Sequence, residues 1–322
     1  MLDTILQQLL IGLTNGMVFA LVALGYTMVY GILEFINFAH GDVFMLASFL
    51  ALTLVGALEV TQQTPPGTLA ALLLGIVLAC ALFAGGLNFA IDRIVYRPLR
   101  RAPKLAPLVS AIGVSFILQN VGLFWGGSAM AVFGGGGQAA APKAFPDILP
   151  QTNLAANVFG AGTKLTLLPK DLLVMGASVV IMAALYGLVR FTKLGKAMRA
   201  TAQDPNAARL MGIDVDKVVG ATFLIGGALA GVAAVVYSLY INTIHYQMGY
   251  QNGLYAFTAA VVGGIGNIPG AVLGGLVLGL VRAFSDQFIG AQWQPAVLFG
   301  ILIVILVFRP AGLLGSTARE KV

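Results

Sequence analysis

Long apolar runs separated by short polar segments form the main pattern of this chain. A helix needs roughly 20 apolar residues to cross the core of a bilayer, and runs of about that length recur along the whole sequence. We therefore predict an all-α integral membrane protein, a polytopic helical bundle of about 8 transmembrane segments that forms one domain over residues 1–322. The predicted uninterrupted spans are 5–33, 43–58, 68–91, 105–125, 172–189, 218–241 and 287–308.

Two polar breaks interrupt apolar stretches and predict discontinuous helices. The first reads NFAHGDV at 37–43, and the second reads GNIPG at 266–270, inside the apolar region 252–281. The runs beside the second break are short for full spans, so we expect two half-helices or a tight hairpin there. Unwound backbone at membrane depth is tolerated only against protein or a water-filled cavity, so matching breaks in two halves indicate a transport site. The residues assigned to a substrate pathway on this basis are Asn37, His40, Gly41, Asn267 and Gly270.

Each break also has a simpler interpretation. Glu34, His40 and Asp42 are functional candidates if they lie inside the membrane, whereas they are merely solvated if 31–42 is a turn between two spans. The likeness of NFAHGDV to NIPGAV at 267–272, with one residue deleted, indicates either an internal repeat or chance. Small residues after the second break are spaced for close helix packing, which is a commoner role than ligand contact. They are Gly270, Gly274, Gly275 and Gly279.

A polar segment at 190–217 contains a short helix with clear boundaries. Asp204 is a favourable N-cap, and Pro205 suits the first helical position because it needs no backbone N–H there. Residues 206–211 then allow about two turns, and Gly212 stands where a left-handed C-cap residue is expected. By itself, such a segment could be a solvated connector between two spans.

Composition and charge support the membrane assignment and give it an orientation. The chain is 59% hydrophobic and 9% charged, whereas a soluble domain has about 25% charged residues. Fourteen of the 18 basic residues lie in 92–104, in 190–217 and at the C-terminus, which the positive-inside rule places in the cytoplasm. The segment 126–169 is then external. Because the basic residues cluster in this way, the net charge of +6 does not indicate nucleic-acid binding.

Motifs of several other protein classes are missing from the sequence. Cys80 is the only cysteine, so no disulfide or cysteine-based metal site is expected. The sequence contains no GxxxxGK[ST], HExxH or GxSxG pattern, so we expect no ATP-binding P-loop and no hydrolytic site. We predict a protein that is not an enzyme and that needs no cofactor or metal.

Four segments together resemble the permease subunits of bacterial ABC importers for branched-chain amino acids, of the LivH type. They are GYTMVYGILEFINFAHGDVFML at 25–46, RPLRRAPKLAPLVSAIGVSFILQN at 97–120, LGKAMRATAQDPNAARLMGI at 194–213, and FTAAVVGGIGNIPGAVLGGLVLG at 257–279 with the tail RPAGLLG at 309–315. The resemblance runs from end to end and is weakest at 126–169. It implies an ABC importer permease fold in the bacterial cytoplasmic (inner) membrane.

The resemblance also implies partners and a role for the polar segment. Such a permease, embedded in membrane lipid, works with a second related permease, two ATP-binding subunits and a periplasmic amino-acid-binding protein. The short helix then resembles the coupling helix that docks on an ATP-binding subunit. The residues implied in coupling are Lys196, Arg199, Asp204, Pro205, Asn206, Ala207, Ala208, Arg209 and Gly212.

A self-sufficient secondary transporter or channel for small polar solutes is the alternative function. It would share the broken helices, but an ion-coupled carrier usually needs carboxylates inside the membrane, and residues 218–281 contain no charged residue. The substrate also stays open among leucine, isoleucine and valine, other neutral amino acids, amides and urea.

Overall fold

The computed structural model describes residues 2–33, 37–100, 102–103, 105–159 and 165–315, and helices dominate it. Eight helical segments in these ranges are long and apolar enough to cross a membrane, which confirms the polytopic all-α prediction. The α-helices are α1 Leu2–Leu33, α2 Ala39–Ala57, α3 Pro66–Ile91, α4 Arg97–Leu99, α5 Leu105–Gly126, α6 Leu154–Phe159, α7 Pro169–Phe191, α8 Lys193–Gln203, α9 Pro205–Leu210, α10 Val215–Ile241, α11 Met248–Gly263, α12 Ile268–Phe288 and α13 Gln294–Phe308.

The helices divide into a buried centre and an apolar periphery. Most residues of α2, α10 and α11 and the second half of α1 are buried, whereas α3, α5, α7 and α13 expose rows of large apolar side chains. Outward apolar faces are stable against lipid, so the peripheral helices suit the edge of a membrane bundle. One short β-ladder pairs β1 Lys143–Ala144 with β2 Thr243–Ile244 in antiparallel orientation, and it ties the segment after α5 to the end of α10.

Glycines on two faces of α12 bring it into close contact with both of its neighbours. A Cβ added at Gly279 would overlap the backbone of Gly16 on α1, and a Cβ added at Gly274 would overlap the Ala259 carbonyl oxygen on α11. Gly275 and Gly270 make similarly close approaches to α1 and α11 respectively. The packing role that was predicted for the four glycines is therefore confirmed.

The second sequence break is the turn of a helical hairpin. The chain turns at Gly264 and Gly266, whose φ angles are +108° and +87°, before α12 continues for 21 residues. The hairpin expectation is thus confirmed, and the alternative of two half-helices is wrong. The predicted start of the final span, residue 287, was also too early. Residues 287–288 belong to α12, and Gly290, with its positive φ, separates them from α13.

The described parts of all three basic segments lie at one end of the bundle, which we call the basic end. Arg190 and Arg199 line a cavity of about 980 Å³ together with Pro310, and Arg97 lines a second cavity of about 710 Å³ together with Arg209. The C-terminal segment is attached there by backbone hydrogen bonds from Leu313 to Val262 and from Leu314 to Gly263. At the opposite end, Gln7 of α1 is hydrogen-bonded to Thr166.

Candidate functional site

Asn37 anchors the first break inside the bundle. Its side-chain oxygen accepts a hydrogen bond from the Tyr96 hydroxyl at 2.7 Å, and its amide nitrogen donates to the Asn88 side-chain oxygen at 3.3 Å. Asn88 in turn donates to the Phe223 carbonyl of α10 at 2.7 Å. Asn37 is only 2% exposed, so non-helical backbone enters the protein interior here and is stabilised by polar groups of α3 and α10, as buried polar groups require.

His40 lies one turn further along the chain, in the first turn of α2. Its ring is 1% exposed and packs edge-on against Tyr26 with ring centroids 4.8 Å apart. Neither ring nitrogen makes a hydrogen bond of good geometry to any described residue. Gly25 permits this position, because a Cβ there would overlap the His40 Nε2 atom. Gly41 is equally enclosed, against the Gly249 carbonyl of α11.

Asp42 places a carboxyl group in the interior between α2, α5 and α11. It is 0% exposed, and its Oδ2 atom accepts a short hydrogen bond from the Ser115 hydroxyl. Gln119 donates to that hydroxyl at 3.1 Å, while Asp42 Oδ1 has no partner among the described residues. Ionisable groups within membrane spans are costly and usually functional, so this carboxyl belongs to the candidate site.

These positions decide between the two interpretations of the first break. A solvated turn over 31–42 is wrong for Asn37, His40 and Asp42, because all three are buried. Glu34 lies outside the described residues. Sequence reasoning missed Ser115 and Gln119, although two polar residues one helical turn apart in an apolar span are a recognisable signal.

The second break occupies a different place from the first. Asn267 lines the 980 Å³ cavity at the basic end, accepts a hydrogen bond from the Gly270 N–H at 3.2 Å, and donates to the Leu314 carbonyl at 2.7 Å. Gly270 itself packs against Gly263 of α11. The structure therefore does not bring Asn267 and Gly270 together with Asn37, His40 and Gly41, and a substrate role for these five residues stays a prediction.

The short helix of the polar segment has the boundaries that the sequence predicted. The Asp204 carboxylate accepts hydrogen bonds from the N–H groups of Asn206 at 2.7 Å and Ala207 at 3.0 Å, and Pro205 begins α9. At the other end Gly212 has φ +81°, and the N–H of Ile213 reaches back to Ala208 at 3.0 Å. These bonds form a Schellman-type C-cap, so α9 is bounded by local interactions at both ends.

α9 presents an exposed surface with an apolar tip. Ala208 packs inward at 4% exposure, while Asp204, Pro205, Asn206, Ala207, Arg209 and Gly212 are exposed. Leu210 and Met211 are 89% and 82% exposed, and sequence reasoning had not singled them out. Exposed apolar side chains outside a membrane span indicate a contact surface.

α8 connects this surface to the end of α7. The Arg199 guanidinium donates hydrogen bonds to the Val189 and Arg190 carbonyls, which are free acceptors at a helix C-terminus. Gly195 allows the close turn, since a Cβ there would overlap the Val189 carbonyl oxygen. Lys196 is exposed on the same helix. A displacement of α8 would therefore be transmitted to α7.

Ion pairs attach the α3–α4 turn to the start of α10 at the basic end. Asp216 pairs with Arg97 at 3.0 Å and with Arg100 at 2.6 Å, and Arg100 also pairs with Asp92 at 2.6 Å. Just before α10, Asp214 accepts a hydrogen bond from the Lys217 N–H at 3.1 Å. That bond stabilises the ionised carboxylate and lowers the pKa of Asp214 below its ordinary value.

Apolar spans around a polar interior, with an exposed capped helix at one end, define a multi-pass membrane transport protein. The chain matches the family described as branched-chain amino acid transport system permease component over residues 8–307. It therefore belongs to that family, whose members are transporter components.

Individual relatives agree with this assignment. Over 98% of this chain, it is 40% identical to the high-affinity branched-chain amino acid transport system permease protein BraD of Pseudomonas aeruginosa, of which 98% is covered. It is 37% identical to LivH of Escherichia coli over 98% of this chain and 97% of the relative. A probable branched-chain permease LivM of Methanocaldococcus jannaschii is 31% identical over 38% of this chain and 40% of its own length. No solved structure matches the chain.

Proposed function

We propose that the chain is the permease subunit of an ATP-driven importer that carries branched-chain or related neutral amino acids into the cytoplasm. The names of the full-length relatives BraD and LivH support the substrate class. The partial match to LivM supports a second, related permease as the partner. In this proposal two ATP-binding subunits supply energy from inside, and a periplasmic amino-acid-binding protein delivers the substrate from outside.

The proposal assigns the basic end to the cytoplasm. Clustered Lys and Arg residues favour that side of a bacterial membrane, so the loops 92–104 and 190–217 and the C-terminus are internal. The segment 126–169 and the start of α1, which share the opposite end, are then external. In this proposal the eight span-length helical segments cross the membrane, and the shorter α11, of 16 residues, also runs between the two ends.

The observation that best supports ATP coupling is the exposed and capped helix α9. Asp204, Pro205 and Gly212 bound this helix by local interactions, so it can act as a rigid body. Leu210 and Met211 would enter an apolar groove on an ATP-binding subunit, in the manner of helix-in-groove recognition. Asn206, Ala207 and Arg209 would contact the walls of the groove, and Lys196 its rim. Arg199 would pass the movement of α8 to α7.

A substrate pathway is assigned to the polar interior beside the first break. Asn37, His40 and Gly41 lie where the chain passes from non-helical backbone into α2 inside the bundle. Asp42, the next residue of α2, adds a buried carboxyl group. Asn267 and Gly270 would act at the cytoplasmic exit instead. Replacing both Asn37 and His40 by Ala should reduce uptake. If uptake by that double variant equals wild type, the first break serves only as a turn.

The buried carboxyl group of Asp42 also favours a second candidate function. A buried carboxyl group could bind a proton or cation in a secondary transporter that needs no ATPase. The two candidates differ in their energy source. Purified chain alone in proteoliposomes should not accumulate leucine under a proton or sodium gradient, whereas the complex with partner subunits should do so with ATP. Gradient-driven uptake by the chain alone would refute the ATP-driven proposal.

A further inference from the structure

Arg282 and Asp286 form an ion pair in the last two turns of α12. Arg282 Nε lies 3.9 Å from Asp286 Oδ2, and the two side chains are 25% and 37% exposed. Arg282 comes less than two turns, or about 9 Å along the axis, before α12 ends at Phe288. Because helical side chains lean towards the helix N-terminus, the guanidinium lies deeper in the span than its own Cα atom.

Aromatic rings from neighbouring helices surround the guanidinium. The Arg282 Cζ atom lies 5.5 Å from the ring centroid of Phe19 on α1 and 5.9 Å from that of Tyr255 on α11. These two rings pack edge-on with centroids 5.9 Å apart, and Tyr255 continues to Phe299 of α13 at 6.3 Å. The charged pair therefore lies beside an aromatic wall contributed by three helices.

The ion pair keeps most of its hydrogen-bonding capacity free. A separation of 3.9 Å is too long for a direct hydrogen bond, and neither side chain has a hydrogen-bond partner among the described residues. The guanidinium offers five N–H donors, and the carboxylate offers two acceptor oxygens. Partly exposed charges on a membrane-spanning helix are unfavourable against lipid, so this face of α12 is expected to border a polar, water-accessible space.

We propose that Arg282 and Asp286, with Phe19 and Tyr255, form a transmembrane binding site for an apolar amino acid in its zwitterionic form. The Arg282 guanidinium donates to the substrate carboxylate, a geometry that favours two parallel hydrogen bonds. Asp286 accepts from the substrate ammonium group, and the aromatic wall contacts the aliphatic side chain. This inference rests on the proposed import function and narrows its substrate, because amides and urea lack the carboxylate that Arg282 would bind.

The test uses the complete complex with its partner permease, ATP-binding subunits and binding protein in proteoliposomes. Arg282→Gln and Asp286→Asn should each lower ATP-driven leucine uptake at least about tenfold, the loss expected for one charge-assisted hydrogen bond. ATP hydrolysis stimulated by the leucine-loaded binding protein should stay within about twofold of wild type, because the coupling helix is unchanged. Arg282→Lys keeps the charge but not the paired donors, so it should insert normally and raise KM for leucine more than it lowers kcat.

The exchange variant Arg282→Asp with Asp286→Arg separates substrate binding from a structural ion pair. It restores opposite charges on α12 but reverses their order, so uptake should remain low. Recovery of uptake by this exchange, or near-normal uptake by Arg282→Gln, would overturn the proposed site. Arg309→Gln, at an exposed arginine of the basic end, serves as the control and should transport normally. Failure of the import function itself would look different, since the wild-type complex would then show no ATP-driven leucine uptake.

Discussion

Asn37 and Asn88 are hydrogen-bonded to each other inside the bundle, with the Asn37 amide nitrogen 3.3 Å from the Asn88 side-chain oxygen. One belongs to non-helical backbone between α1 and α2, and the other to the last turn of α3. Asn88 also donates to the Phe223 carbonyl, so a single side chain connects the first break to two helices.

The first prediction removes this connection. Asn88→Leu leaves the Asn37 amide nitrogen and the Phe223 carbonyl without their partner, and an unsatisfied buried polar group costs about 1–3 kcal/mol. We expect a lower Tm for the detergent-purified protein. Asn120→Leu is the matched control, because Asn120 is exposed and its side chain bonds only to the Phe116 carbonyl of its own helix. Equal melting of the two variants would contradict a structural role for the Asn37–Asn88 bond.

The second prediction concerns the contact between Gly25 and His40. Gly25→Ala places a methyl group on the His40 ring, so it should reduce stability and uptake together. Adding His40→Ala removes the ring and should restore part of the stability, a positive coupling in a double-mutant cycle. The rescue should be partial, because the added Cβ also lies 3.2 Å from the Gly226 carbonyl oxygen. Additive effects of the two substitutions on Tm would show that the added methyl group does not clash with the His40 ring.

The third prediction tests the close packing of α1 on α12. Gly279→Ala introduces a Cβ against backbone atoms of Gly16 and Gly12, which cannot move as a side chain can. Overpacking of this kind destabilises by about 1–3 kcal/mol, so Tm and the yield of inserted protein should fall. Gly300→Ala in α13 is the control, since a Cβ there meets nothing within 4 Å. In a helix interior this replacement should be neutral or stabilising, by about 0.5–1 kcal/mol.

Local features of the fold could be predicted from the sequence, whereas contacts between distant segments could not. The α9 boundaries depend on Asp204, Pro205 and Gly212, which act within one or two turns of the helix. Both ends of α9 could therefore be predicted from the sequence. The bond between Asp42 and Ser115 joins residues 73 positions apart, and the pair between Arg97 and Asp216 joins residues 119 apart. Nothing in a single sequence specifies which helices meet.

The same limit explains why two interpretations stayed open at each of the two breaks. Polar residues between two spans are compatible with either a solvated turn or buried backbone. Only the packing of other helices around Asn37 and Asp42 distinguishes the two. The hairpin at Gly264 and Gly266 was foreseeable from its glycines, but the length of α12 was not. The exposure of Leu210 and Met211 could not be predicted either, because an apolar residue beside a membrane span is ordinarily buried.

The last prediction tests whether α9 couples ATP hydrolysis to transport. Gly212→Pro imposes a φ near −65° where the native φ is +81°, and it removes the N–H that donates to the Arg209 carbonyl. The C-cap should open and displace Leu210 and Met211, while the spans stay inserted. ATP hydrolysis by the assembled complex should persist, and leucine uptake per ATP should fall steeply. Gly212→Ala, which strains the same φ but keeps the N–H, should give a smaller loss.

Arg209→Glu tests the same helix without changing its backbone. Among the residues that the structure describes, its guanidinium makes one hydrogen bond of 3.3 Å, to Asn206 within α9, so the free protein should fold and insert as wild type. Reversing an exposed charge at a docking surface should weaken association with the ATP-binding subunit, measured by co-purification and by the ratio of uptake to hydrolysis. Arg309→Glu makes the same change at another exposed arginine of the basic end and should transport normally. If Arg209→Glu and Gly212→Pro both retain wild-type uptake per ATP, α9 is a connector and coupling occurs elsewhere.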